Sequence, residues 1–307
     1  MVRTTVSSAP PHLDLREGEP LAPFTTIRVG GPADWLAIAS CTRHVVAALR
    51  WAEERDAPVA VIGRGSNLLV SDAGFRGLAL RLTGALSSIS ARDEGMWCGG
   101  AASLPRAVQR AASRGLTGLE FAASIPGTVG GAVAMNAGAH SGELAGVLAW
   151  AAVAGPEGRR LVRPDDLDLG YRRSNLRPGE VVTAAGFALR PGDPEAIAET
   201  LAEFRGHRRA TQPQGVRTFG SVFTNPPGDS AGRLLEQAGC KSLRIGDARF
   251  SPVHANFIEA GAATRAADVL QLMSEGRRRV VERGGPRLEP EVRFLDPERG
   301  IVSPPLA

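Results

Sequence analysis

The sequence predicts a mixed α+β fold of more than one compact unit, on three observations. Strand-like and helix-like segments alternate irregularly, with no internal repeat. The 307 residues suit two or three domains at about 100–200 residues each. Hydrophobic residues make up 43% and charged residues 22%, enough to bury a core. The 37 glycines and 22 prolines stay below the level of a low-complexity chain and point to tight turns and backbone-lined loops.

The elements follow from periodicity and capping. Residues 1–22 read as a polar tail. A strand over 35–39 follows a Gly-Gly-Pro turn. Thr42 then caps a helix to about Asp56, with Val45, Val46, Leu49 and Ala52 on one face. A buried strand at 59–62 runs into Gly63-Arg64-Gly65-Ser66-Asn67, and another strand covers 77–82. Ser103 caps a helix over 104–114, ended by Gly115. The stretch 118–142 is rich in Gly and Ala and has no helical period. Residues 148–190 read as short strands and turns. Asp193-Pro194 starts a helix to about Arg209. Beyond it come a strand at 221–223, Ser230 capping 231–238, Thr264 capping 265–282, and a closing strand at 288–294.

Composition removes several function classes. No uncharged apolar run approaches the roughly 18 residues of a membrane helix, so membrane insertion is not expected. The N-terminus lacks the apolar core of a secretory signal. Cys41, Cys98 and Cys240 are too few and too scattered for a disulfide framework or a zinc site. The chain therefore reads as a cytoplasmic enzyme. Its basic residues are 35 arginines and one lysine, Lys241, with a formal net charge of +4. They are dispersed, and aromatics are 5%, so the chain lacks the stacking platforms and basic stripe of a nucleic-acid binder.

Several segments carry possible chemistry. Gly63–Leu69 follows a strand, and its glycines bring backbone N–H groups close to an anion. It is not the dinucleotide fingerprint, because position 68 is leucine, and an ordinary βα turn explains it equally well. Ser124-Ile125-Pro126-Gly127-Thr128-Val129-Gly130-Gly131, followed by Asn136-Ala137-Gly138, forms a side-chain-poor surface. A flat or phosphate-bearing ligand could lie against it, and so could packed strands. Tyr171-Arg172-Arg173-Ser174 holds the only tyrosine. Gly220-Ser221 is not a hydrolase elbow, since G-x-S-x-G is absent. His254 reads as a structural histidine. In Leu288-Glu289-Pro290-Glu291-Val292-Arg293, strand alternation sets Glu289, Glu291 and Arg293 on one face.

Taken in order, the segments at 26–33, 63–70, 118–143, 170–174, 220–226, 231–241, 254–258 and 288–293 resemble the UDP-N-acetylenolpyruvoylglucosamine reductase (MurB) family, in its shorter type II form. The resemblance spans about residues 24–294. It implies an FAD-binding module of the vanillyl-alcohol-oxidase (PCMH) type with two subdomains, 23–82 and 83–193, after the tail. A C-terminal α+β substrate-binding domain, 194–307, would follow. The implied reaction takes hydride from NADPH onto FAD and then reduces UDP-N-acetylglucosamine enolpyruvate to UDP-N-acetylmuramate, a peptidoglycan precursor. The implied catalytic residues are Arg172, holding the substrate carboxylate, Ser221, donating the proton, and Glu291, polarising the carboxylate. Tyr171 and Asn225 would contact substrate. FAD would lie on Gly30, Gly31, Gly63, Gly65, Ser66, Asn67, Leu68 and Leu69, with Ser124, Ile125, Pro126, Gly127, Thr128, Gly130, Gly131, Asn136, Ala137 and Gly138 near its ring system. Thr211, Thr224, His140 and Ala260 depart from residues common in the family.

Overall fold

The computed structural model describes residues 10, 13–92 and 95–306. In chain order the first elements are β1 (Asp14–Pro20), β2 (Pro32–Ala39), α1 (Thr42–Glu53), β3 (Val59–Val61), β4 (Leu68–Val70), β5 (Phe75–Leu82), β6 (Ile89–Arg92) and β7 (Gly95–Gly99). Then come α2 (Leu104–Ala112), β8 (Leu116–Thr117), α3 (Val129–Ala134), β9 (Gly138–Ala139), β10 (Gly142–Glu143), β11 (Leu148–Gly155), β12 (Gly158–Val162), β13 (Val181–Ala188) and β14 (Arg190–Pro191). The last are α4 (Pro194–Thr211), α5 (Ala231–Gln237), β15 (Arg244–Ile245), β16 (Ala248–Phe250), β17 (Ile258–Ala260), α6 (Ala266–Glu282), β18 (Arg293–Asp296) and β19 (Gly300–Val302). The content is mixed α and β, as the sequence predicts.

Part of the expected tail is ordered. Residues 1–9, 11 and 12 lie outside the described residues. Asp14–Pro20, however, is the edge of a four-stranded sheet of order β1-β2-β5-β3. Leu13 and Leu15 are buried while Asp14 and Arg16 pair with each other across the exposed face, the alternation of a half-buried strand.

The chain groups into two compact units, and the grouping differs from three consecutive segments. The first holds the described residues up to Glu17, Trp35–Gly63 and Leu78–Arg208; the second holds Gly18–Asp34, Arg64–Gly77 and the described residues from Arg209. The reason is where apolar faces are buried. Ile197 and Leu201 of α4 join the core containing Val108 and Phe187. Ile27, Val29 and Leu69 join the core of Phe219, Phe250 and Met273.

In the first unit, β12-β11-β13-β7-β6 form a five-stranded sheet with every pair antiparallel. The absence of a side chain at Gly130 lets α3 approach the backbone of β13 closely. A Cβ on Gly130 would stand 2.9 Å from the Val182 carbonyl oxygen and 3.0 Å from that of Gly100. Helix α1 buries Val45, Ala48, Leu49 and Ala52 along one face. Its N-cap is Cys41 rather than Thr42, and no side chain caps it.

In the second unit, α6 packs against α5 and the sheet β15-β16-β17, and Leu69 of β4 and Phe294 of β18 share the same core. Ser230 caps α5 as expected, its Oγ accepting from Arg233 N at 3.3 Å. Helix α6 departs from expectation. Its N-cap is Arg265, and the Thr264 hydroxyl is buried without a hydrogen-bond partner. The free amides of the first turn are met instead by Asp72, whose two oxygens accept from Ala266 N (2.7 Å) and Ala267 N (3.0 Å).

Candidate active site

The sequence-predicted site residues fall in both units. Gly63 ends the run after β3. Its carbonyl accepts from Arg81 Nη1 at 3.1 Å. A Cβ on it would stand 2.6 Å from Thr128 Oγ1, so the Gly63 backbone and the Thr128 side chain are packed directly together. Thr128 is the N-cap of α3, and its Oγ1 accepts from Gly131 N. Ser124, at the start of this loop, accepts a bond from Arg208 Nη1 through its carbonyl. Burial pulls the Arg208 guanidinium below its ordinary value. The Ser124 hydroxyl is buried with no hydrogen-bond partner among the described residues.

Beyond α3, Asn136 is fully buried. Its Oδ1 accepts from Ala145 N (2.9 Å) and its Nδ2 donates to the Gly170 carbonyl (3.1 Å). Gly170 and Arg173 exchange both backbone hydrogen bonds at 3.1 Å, so Tyr171 and Arg172 form the corner of a tight turn. Tyr171 is 53% exposed. Arg172 is in the left-handed region, φ +57°. Its guanidinium lies 4.9 Å from the Tyr171 ring centre and its Nη2 donates to the Gly138 carbonyl at 2.8 Å. Ser174 Oγ donates to the Ala134 carbonyl at 2.7 Å. His140, one of the departures, stacks on Phe204 with ring centres 3.9 Å apart.

In the second unit, Gly65 has φ +62°, and a Cβ there would collide with the Phe24 carbonyl at 2.4 Å. Thr26 N donates to the Gly65 carbonyl. Gly30 and Gly31 are equally tight: a Cβ would meet Val70 on the one and the Asp72 carbonyl on the other, both at 2.4 Å. Leu68 and Leu69 begin β4, which pairs parallel with β18 in the register Leu68 with Arg293 and Leu69 with Phe294. Gly220, φ +84°, turns the chain immediately before Ser221, a conformation glycine adopts without penalty.

The expected strand at 221–223 is reduced to two isolated bridges, Ser221 with Phe257 and Phe223 with Pro290. A side chain substitutes for the missing ladder. Asn256, 3% exposed, accepts from Phe223 N through Oδ1 (2.9 Å) and donates from Nδ2 to the Phe223 carbonyl (2.8 Å). On the opposite side, Glu291 N donates to the Val222 carbonyl at 2.9 Å. Half-buried Ser221 and half-buried Glu291 are thereby carried on paired backbones in one unit; Arg172 belongs to the other.

Asn225 Oδ1 accepts from Ala231 N at 3.0 Å, anchoring the start of α5. Its Nδ2 is the group it can offer a ligand. Thr224, another departure, donates its hydroxyl to the Glu289 carbonyl. His254 is structural, as expected. Its Nδ1 accepts from Asn256 N, its ring meets Phe257 edge-on at 5.0 Å, and burial, then the charge of Lys241, lowers its pKa. Sequence reasoning gave no site role to Asn256, Asp72, Arg208 or Ser174. Only Ser174 and Asn256 stood inside singled-out motifs.

Among the described residues, no group of three His, Cys, Asp or Glu side chains could hold a metal ion. Burial pushes the Cys98 thiol up to about 12. The residues fit FAD. The Ser124 hydroxyl, at the start of the glycine-rich 124–131 loop, is buried and needs a polar group that the described protein does not supply.

Comparison with known proteins agrees. An FAD-binding-domain model matches residues 33–161, and the model of the UDP-N-acetylenolpyruvoylglucosamine reductase C-terminal domain matches residues 212–295. Fold and site thus define an FAD-dependent oxidoreductase, with a flavin-binding part followed by a reductase-specific part. The chain is 46% identical to UDP-N-acetylenolpyruvoylglucosamine reductase 2 of Symbiobacterium thermophilum, covering 91% of this chain and 92% of that one. It is 47% identical to the Rubrobacter xylanophilus reductase, covering 90% and 94%. The crystal structure of the Thermus caldophilus enzyme (MurB) superposes with a TM-score of 0.80 at 39% identity, covering 92% of this chain and 98% of that one. The chain belongs to the UDP-N-acetylenolpyruvoylglucosamine reductase (MurB) family. No helix among the described residues is long and apolar enough to cross a membrane.

Proposed function

We propose that the protein reduces UDP-N-acetylglucosamine enolpyruvate to UDP-N-acetylmuramate in the cytoplasm, with NADPH as the hydride donor, for peptidoglycan synthesis. The observation that carries the reading is the pairing of the Ser221 and Glu291 segments through the Val222 carbonyl and Glu291 N. Bound FAD would supply the hydride-carrying chemistry between NADPH and the enolpyruvyl double bond.

The chain's own residues do the rest. Arg172 faces the negative charge that grows on the substrate carboxylate as the double bond is reduced. Its planar guanidinium holds a carboxylate through two bonds, which a lysine could not. The Ser221 hydroxyl delivers the proton that completes the reduction. Glu291 polarises the substrate carboxylate, and Tyr171 and the Asn225 amide nitrogen contact the substrate. Gly30, Gly31, Gly63, Gly65, Ser66, Asn67, Leu68 and Leu69 hold the FAD pyrophosphate side, and Ser124–Gly131 with Ala137 and Gly138 the ring side. The assignment is tested by turnover: NADPH oxidation must depend on the enolpyruvyl sugar, and the product must be heavier by two hydrogens. NADPH oxidation that ignores the sugar would refute it.

A further inference from the structure

We propose that Asn136 is a positioning residue that sets the orientation of Arg172 by holding the Gly170–Arg173 turn. The inference rests on the reading of Arg172 as the carboxylate-binding cation. It also departs from the expectation that Asn136 contacts FAD, because both ends of its side-chain amide are already bonded, to Ala145 N and to the Gly170 carbonyl.

The turn needs such a hold. Gly170 and Arg173 close it, and Arg172 occupies its third position at φ +57°, where glycine or asparagine is the ordinary choice. A β-carbon-bearing side chain in that conformation persists only where the surroundings fix it. The surroundings are one short stretch, residues 134–138, at the exit of α3. Ala134 accepts from Ser174 Oγ, Asn136 donates to the Gly170 carbonyl, and Gly138 accepts from Arg172 Nη2. These bonds fix one edge of the turn, its first carbonyl and the guanidinium itself. Asn136 is the member whose bond reaches the carbonyl that also closes the turn. It adopts φ +40° itself and is completely buried, so its amide cannot be replaced by solvent.

Two variants separate the role from mere support of α3. Asn136→Asp, studied at a pH where its carboxyl is ionised, keeps an acceptor for Ala145 N and removes the donor to Gly170. Asn136→Gly removes both bonds while relieving the positive φ. With FAD bound, flavin reduction by NADPH should keep its rate within about twofold, because Arg172 acts in the other step. Reoxidation by the enolpyruvyl sugar should slow by about 10- to 100-fold, the usual cost of losing a supporting contact behind a functional group. In an Arg172→Ala background the same Asn136→Asp change should add less than about twofold, since residues acting as one unit are not additive. Independently of catalysis, the Arg173 amide, which bonds to Gly170, should exchange its hydrogen about tenfold faster in Asn136→Asp. Full additivity with Arg172→Ala, or unchanged exchange at Arg173, overturns the proposal. If the unsubstituted protein fails the two-step cycle, the functional reading falls, and the exchange experiment still decides whether Asn136 holds the turn.

Discussion

The side-chain amide of Asn67 donates to the main-chain carbonyl of Glu291 at 3.2 Å, and Arg293 N donates back to the Asn67 carbonyl at 3.1 Å. Asn67 is thus tied to the 291–293 segment, 224 positions away at its nearer end, by one bond to Glu291 and one from Arg293. The loop proposed for the FAD pyrophosphate and the segment carrying the proposed carboxylate are therefore one mechanical element.

Asn67→Leu should loosen both ends of that element. Losing the bond to the Glu291 carbonyl should cost about 1 kcal/mol of stability, the typical net worth of a neutral hydrogen bond. FAD content after gel filtration should fall together with the rate of the substrate step. A variant with full flavin and a normal substrate step would show that the clasp has no functional consequence.

The remote cap of α6 gives a second prediction. Asp72→Ala should lower stability by about 1–2 kcal/mol, the range for losing an N-terminal cap. Thr264→Val should not lower stability and should raise it by up to about 1 kcal/mol, because the buried hydroxyl it removes has no partner. Denaturant titration of the two variants reads the difference directly.

That pair of residues also shows what the sequence could and could not disclose. Ser230 was legible as a cap because it sits immediately before its own helix. Asp72 was not, because it reaches Ala266 across 194 positions. Ser221–Phe223 falls short of the expected strand for a related reason: it makes only isolated bridges, and Phe223 is held by the side chain of Asn256, which periodicity does not register. Glycine clusters, by contrast, reported faithfully on close packing, since Gly30, Gly31, Gly63, Gly65 and Gly130 each stand where a Cβ would meet another atom within 3.0 Å. Leu13 and Leu15 gave too short an alternation to reveal β1 among acidic neighbours. The left-handed Arg172 was invisible, because nothing in Tyr-Arg-Arg-Ser announces a residue held by hydrogen bonds from the exit of α3.

Gly130→Ala tests the closeness of α3 to β13. Its Cβ would press on two backbone carbonyls, which cannot rotate away as a side chain can. Overpacking of this kind costs about 1–3 kcal/mol. The thermal midpoint should fall and FAD should dissociate more readily on dilution. Retention of both would mean that α3 has slack.

A pH prediction comes from α6. Glu275 accepts from Arg278 Nε and Nη2 at 2.9 and 2.8 Å and from Arg279 Nε at 2.6 Å. These bonds, those from Arg278 foremost, hold its carboxyl at about 2, below its ordinary 4.5. A depressed carboxylate contributes stability that is complete above its unfolded value and is lost as pH falls through its folded value. The contribution should therefore be intact above about pH 4.5 and disappear as pH falls through about 2. Because the pairs lie at the surface, Glu275→Gln should cost under about 1 kcal/mol at pH 7. The gap from the unsubstituted protein should close on acidification; a gap that widened toward low pH would contradict the assignment.

The most direct test of the central claim is an anaerobic titration of the purified protein followed by its flavin absorbance. The account predicts a yellow protein that NADPH bleaches and that one equivalent of UDP-N-acetylglucosamine enolpyruvate restores to yellow, with Ser221→Ala bleaching normally and failing to recover. A protein that cannot be loaded with FAD, or one whose colour returns without the enolpyruvyl sugar, would contradict it.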